Sequence, residues 1–166
     1  MTFRISENTM ERLRRNAKYR GTSLNMLVNR IFKNYVNWYM FESRIGMIPL
    51  SKPLVIALFK DLRKDEIVDL ATNTGKTATF DIALFMKAKV DVESFLEWFE
   101  SRMISSSINV SHIINGSTNT YIIKHDICLN WSLYHKIILE SIFDEYFKKD
   151  VDIKMSETSF TIQYEK

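Results

Sequence analysis

The chain has little of what interrupts regular structure. Four Gly and two Pro in 166 residues leave few places for flexible linkers, so long elements joined by short connections are expected. A single cysteine, Cys128, excludes an intramolecular disulfide and fits a reducing cytoplasm. No apolar run approaches the ~20 residues of a membrane span, and no apolar signal-peptide core stands at the N-terminus. The expected location is therefore cytoplasmic, with no membrane partner. What is present supports packed cores: 46% of residues are apolar and 13% aromatic, far from a disordered composition. A chain of this length holds one or two small domains.

The net charge of +3 conceals an asymmetry. Residues 1–46 carry nine basic side chains (Arg4, Arg12, Arg14, Arg15, Lys18, Arg20, Arg30, Lys33 and Arg44) against Glu7, Glu11 and Glu42, a net +6, which leaves −3 for the rest. A basic end of this kind is the electrostatic footprint of a duplex DNA binder, whose affinity falls steeply with salt.

The same end has a legible order of elements. Thr2-Phe3-Arg4-Ile5-Ser6 alternates, with Phe3 and Ile5 on one side and Thr2 and Arg4 on the other. A lone strand of this length cannot satisfy its own backbone. No second strand is legible in the next hundred residues, so its natural partner is the same strand of another copy. A two-stranded ribbon fits the DNA major groove, where Thr and Arg can read base edges. Ser6 reads as the N-cap of a first helix with Glu7 in its first turn and Met10, Leu13 and Ala17 on its buried face. Gly21 ends it, and Thr22 or Ser23 caps a second helix whose open amides form an anion site. Leu24, Leu27, Val28, Ile31, Phe32, Tyr35 and Trp38 continue at helical spacing to about Arg44, a stripe broad enough for an intertwined dimer core.

Through Arg4-Ile5-Ser6-Glu7, Leu13, Ala17, Gly21-Thr22-Ser23-Leu24 and Leu27-Val28, this segment resembles the ribbon-helix-helix family of dimeric DNA-binding proteins, the MetJ/Arc superfamily. The resemblance covers about a quarter of the chain. It implies base contacts from Thr2 and Arg4, and a phosphate clamp at Thr22, Ser23, Leu24 and Asn25. The implied dimer core is Phe3, Ile5, Leu13, Leu27, Val28 and Ile31. It also implies homodimers that pair into tetramers on adjacent half-sites. The strand begins at the initiator, so direct readout rests on two outward side chains per subunit.

Residues 46–107 read as a helical connector. Ser51-Lys52-Pro53 starts one helix, and a second runs from about Asp65 to Asn73, with Gly75 closing it. Thr77–Met86 lacks a period-two pattern and is read as helix, and Asp91 caps another. The Gly75-Lys76-Thr77 string lacks the first glycine and the preceding strand of a phosphate loop and is rejected as one. Residues 108–166 change period. Ile108, Val110, His112 and Ile114 alternate, Asn115-Gly116-Ser117 turns, and Tyr121, Ile123 and His125 alternate again, which makes a hairpin. Asn130 is read as the cap of a helix from Trp131 to about Lys148, followed by strands at 151–155 and 160–164. The expected fold class is α+β: a ribbon-helix-helix segment at 1–45, the connector, and a β-β-α-β-β antiparallel module at 108–166 for sensing or dimerisation. Tyr121–Asp126 followed by Asn130–Tyr134 also resembles the C-terminal region of uncharacterised archaeal regulators, a likeness that carries no chemistry.

Every His and the one Cys lie within 112–135: His112, His125, Cys128 and His135. Imidazole with thiolate suits a transition metal, and nickel-responsive ribbon-helix-helix regulators use such a set. The hairpin register argues against a closed site, because it holds His112 and His125 about four residues, ~13 Å, apart. No cofactor is expected. Cysteine–histidine catalysis lacks an oriented base, and no carboxylate cluster points to an enzyme. The leading expectation is a homodimeric, sequence-specific DNA-binding transcriptional regulator with an effector of unidentified kind. The alternatives are a protein-interaction dimer, antitoxin-like or scaffold, and a metal-responsive regulator.

Overall fold

The computed structural model of the chain describes residues 4–166, which fall into two compact units, one reaching Ser43 and the other Arg44–Lys166. In the first, Ser6 is extended (φ −61°, ψ 146°) and its Oγ accepts from the Thr9 amide, which starts α1, Glu7–Tyr19. The helix ends in a Schellman arrangement. The Thr22 amide reaches back to Ala17 O at 3.0 Å and the Gly21 amide to Lys18 O at 3.1 Å, with Gly21 at φ +60°. The adjacent Ser23 caps α2, Leu24–Asn34, which continues as a π-helical turn, Tyr35–Tyr39, into the short α3, Met40–Glu42.

The second unit begins with α4, Lys52–Lys60, carrying Pro53 in its first turn, where a missing N–H costs nothing. Next is α5, Lys64–Asp69, begun by the Glu66 carboxylate accepting the Arg63 amide at 2.8 Å. A π-helical turn, Leu70–Gly75, carries it without a break into α6, Lys76–Lys87. Gly75 therefore does not close a helix. It is a close-approach residue: a Cβ there would lie 2.5 Å from Tyr134 Oη and 2.6 Å from Ile138 Cδ1. Lys76, in the rejected phosphate-loop string, pairs with Glu145.

Asp91 and Ser94 form a reciprocal capping box at the start of α7, Val92–Ser105. The hairpin follows as β1, Asn109–Asn115, and β2, Thr118–Lys124, with His112 opposite Tyr121 as the sequence spacing requires. Then come α8, Leu129–Ile142, extended by a π-helical turn, Phe143–Phe147, and the strands β3, Asp152–Met155, and β4, Ser159–Glu165. The four strands are all antiparallel in the order β1-β2-β4-β3.

Asn130 is not the cap of α8. Cys128 occupies that position, and Asn130 lies in the first turn with its amide donating to Phe59 O at 2.9 Å and Leu62 O at 2.8 Å. It satisfies carbonyls at the end of α4, where helical partners run out.

The core lies between one face of the sheet and the helices α7 and α8. Tyr121, Ile123, Ile153, Phe160, Ile162 and Tyr164 supply the sheet side. Phe95, Leu96, Phe99 and Met103 supply α7; Trp131, Ile138, Leu139, Ile142 and Phe143 supply α8 and its extension. Aromatic edges tie the layers together, Phe99 to Phe160 at 6.3 Å and Phe143 to Tyr164 at 6.0 Å between centroids. The connector helices and the sheet module thus share one compact unit. No helix among the described residues is long and apolar enough to cross a membrane.

Candidate nucleic-acid interface

Two of the residues expected in the ribbon, Thr2 and Phe3, lie outside the described residues. Arg4 and Ile5 are exposed and precede the extended Ser6. At the second candidate position, the start of α2, the geometry is explicit. Ser23 Oγ accepts from the Met26 amide at 3.1 Å, and Ser23 O accepts the Leu27 amide at 3.0 Å. Thr22 Oγ1 donates to Met26 Sδ at 3.7 Å, and Asn25 Oδ1 accepts from Asn29 Nδ2 at 3.2 Å. The amides of Leu24 and Asn25 have no partner among the described residues. Two donors at the positive end of a helix can hold an anion.

The unit that carries this helix start is basic, and most of its charge is unspent. Arg14 pairs with Glu7 at 3.8 Å and Arg15 with Glu11 at 3.2 Å, both on the exposed surface of α1. Arg12, Lys18, Arg20, Arg30 and Lys33 form no ion pair among the described residues and are exposed. Exposed pairs contribute little to stability, so even the paired arginines can turn to another anion at small cost.

The apolar stripe of α2 divides in two. Leu27 and Trp38 are buried, Trp38 with its indole N–H donating to Glu42 at 2.9 Å. Leu13 and Val28 are half-buried. Ile5 and Ile31 of the expected dimer core, together with Tyr35, Val36, Tyr39 and Met40, are exposed, Tyr35 and Val36 by 57% and 58%. Sequence periodicity finds the stripe but does not separate these two groups. Leu27 is buried within the chain itself, whereas Ile31, Tyr35 and Val36 stay open to solvent.

The histidines do not converge, and no group of three or more His, Cys, Asp or Glu among the described residues could hold a metal ion. His112 stacks on Tyr121 at 3.9 Å and bonds Asn119 Oδ1 at 3.0 Å. His125 is fully buried, and its Nδ1 accepts from the Ile127 amide at 3.0 Å. That leaves its Nε2–H to donate to Ser132 Oγ at 2.7 Å, and Ser132 in turn donates to Ser156 O at 2.8 Å. This relay joins the end of β2, the first turn of α8 and the turn after β3. Burial pushes the His125 pKa down to about 4, against a smaller upward pull from Asp126. His135 donates from Nδ1 to Trp131 O at 3.0 Å and lies against Trp131 and Phe160. Burial first, then the Arg102 guanidinium, hold its pKa at about 3. Arg102 is itself lowered by burial; it donates to Thr79 Oγ1 and sits over the Trp98 ring. Cys128 is half-buried at the α8 cap position and forms no disulfide. The relay escapes sequence reading because its members are separated along the chain and none belongs to a motif.

No protein-family model matches the chain, and no curated protein matches it either.

Proposed function

We propose that the chain is a homodimeric, sequence-specific transcriptional regulator that binds double-stranded DNA through a ribbon-helix-helix segment. In this reading residues 2–6 of two copies pair as an antiparallel ribbon in the major groove, with Thr2 and Arg4 toward base edges. Thr22, Ser23 and the amides of Leu24 and Asn25 grip a backbone phosphate, which fixes the register of the ribbon without reading sequence. Ile5 and Ile31, with the half-buried Leu13 and Val28, meet their counterparts across the dimer. The C-terminal unit acts as the sensing or oligomerisation module.

The observation that carries the proposal is the N-terminal unit itself. A Schellman turn sets a capped helix with two open amides in a unit whose cations are mostly without ion pairs among the described residues, and the same helix leaves part of its apolar stripe uncovered. One face is suited to a polyanion and the other to a second copy. A protein-interaction dimer, antitoxin-like or scaffold, is the second reading, favoured by the exposure of Tyr35, Val36 and Met40. A metal-responsive regulator draws no support from histidines that each bond within their own surroundings.

Thr2→Ala and Arg4→Ala separate the two readings. Each is expected to weaken binding to a selected operator by about 1–3 kcal/mol, a factor of roughly 5 to 150, with the dimer intact by sedimentation. Unchanged operator affinity in both variants would remove ribbon readout and leave the interaction-protein reading.

A further inference from the structure

The sheet has two edges, and they are built differently. β3 is four residues long, and Asp152 pairs with Lys154 on it at 3.1 Å. Short length and charge are the devices that keep an edge from pairing with another chain. β1 is seven residues long with the sequence NVSHIIN, which holds no charged residue and no proline. Its register with β2 runs unbroken, and Ile113 and Ile114 are 52% and 66% exposed.

The direction of its free backbone groups follows from the hairpin. Gly116, at φ +60°, takes the first central position of a two-residue turn that closes on Asn115 and Thr118. That closing pair is hydrogen-bonded, so alternation makes Ile114, His112 and Val110 the non-bonded positions toward β2. Their N–H and C=O groups point to the open edge, and no described residue bonds them.

The strand is partly symmetric about His112, with Asn at both ends and a β-branched apolar residue at Val110 and Ile114. Antiparallel pairing with a second β1 across a two-fold axis at His112 sets Val110 against Ile114 and Ser111 against Ile113. It also sets Asn109 against Asn115. A two-fold axis perpendicular to the sheet keeps each residue on its own face, so only centres on a residue are permitted. A centre at Ser111 or Ile113 leaves part of the strand unpaired, whereas a centre at His112 uses all of it. The same centre brings the outward backbone groups of Val110, His112 and Ile114 opposite one another as hydrogen-bonded pairs. With no charge on the strand, no like charges oppose each other across the axis.

We propose that β1 is a self-association edge, at which a second copy of the chain adds its own β1 and doubles the sheet. This assignment uses only the C-terminal unit and stands apart from the DNA-binding reading.

The test is a cross-linking scan on the full chain in a Cys128→Ser background. His112→Cys brings two thiols onto the axis with Cα atoms about 5.5 Å apart, within disulfide range. Asn109→Cys or Asn115→Cys alone leaves the thiols of two copies ~20 Å apart, while a mixture of the two chains brings unlike thiols together. The expected result is covalent dimer from His112→Cys and from the mixture, and none from either asparagine variant alone. Absence of cross-linking from both, or equal cross-linking at all positions, overturns the proposal. Thermal melts confirm that each variant is folded. Ile114→Lys supplies a second reading. In a Val36→Asp chain, which lacks association through α2, the β1 dimer persists in sedimentation and Ile114→Lys converts it to monomer. A Val36→Asp chain that is already monomeric overturns the assignment. If the N-terminal unit does not dimerise, Val36→Asp changes nothing and Ile114→Lys acts alone, so the two failures are distinguishable.

Discussion

The helices α2 and α8 make an instructive pair. Both carry an apolar stripe at helical spacing. On α8 and its extension the stripe is closed: Ile138, Leu139, Ile142 and Phe143 are 1% exposed or less, and the helix is flanked by β3 and β4 and by α5, the Leu70–Gly75 turn and α6. On α2 and its π-helical extension the stripe stays open at Ile31, Tyr35, Val36 and Tyr39. The difference lies in what surrounds each helix. The C-terminal unit has two layers to close over α8, whereas a unit ending at Ser43 has one short helix, α1, to set against α2. Units this small seldom bury enough of their own surface and lean on a partner. One stripe therefore belongs to a finished core, and the other is left open to solvent.

The largest loss of stability is expected in the core. Phe99→Ala removes a ring that touches Phe95, His135 and Phe160 and should cost about 3–5 kcal/mol of unfolding free energy. Val36→Asp, on the open stripe, should leave the denaturation midpoint of the C-terminal unit unchanged while abolishing association through α2. Denaturant titration and sedimentation of the two variants read these effects separately. Equal destabilisation by both would erase the distinction between closed and open stripes.

Acid is the next largest lever, through two histidines of the C-terminal unit. His125 and His135 are neutral when folded, with pKa values of about 4 and about 3 against the 6.5 of a free imidazole. The unfolded chain therefore binds protons first. Stability is unaffected by these groups above about pH 6.5. Below it, each histidine costs about 1.4 kcal/mol per pH unit until its folded pKa is reached. Urea melts at pH 7, 6 and 5 should show the C-terminal transition falling progressively. A flat profile would mean that these imidazoles are not held neutral.

Much of this architecture is legible in the sequence where the determinants are local. Ser6, Ser23 and Asp91 act as caps because their side chains reach amides three residues on. The hairpin register follows from the position of Gly116. What is not legible comes from residues distant along the chain. Asn130 looks like a cap in the sequence, but its amide is claimed by carbonyls of α4 some seventy residues earlier. Gly75 looks like a stop, yet Tyr134 and Ile138 press on it so closely that only a residue without Cβ fits. On α2 the stripe itself is readable in the sequence. That Leu27 packs within one chain while Ile31 does not depends on how α1 lies across α2, which periodicity does not encode.

The smallest effect is expected at the start of α2. Ser23→Ala removes the acceptor for the Met26 amide and should cost about 1 kcal/mol of N-terminal stability. DNA affinity should fall by a similar amount on operator and random duplex alike, because a phosphate contact carries no sequence information.

The central claim is that the basic N-terminal unit is a paired, sequence-reading DNA interface. Its most direct test is selection of the purified full chain on a random duplex library at two salt concentrations, with sequencing of the retained DNA. An enriched palindromic motif is expected, retained weakly at the higher salt and strongly at the lower. Retention without a motif, or no retention at either salt, would contradict it.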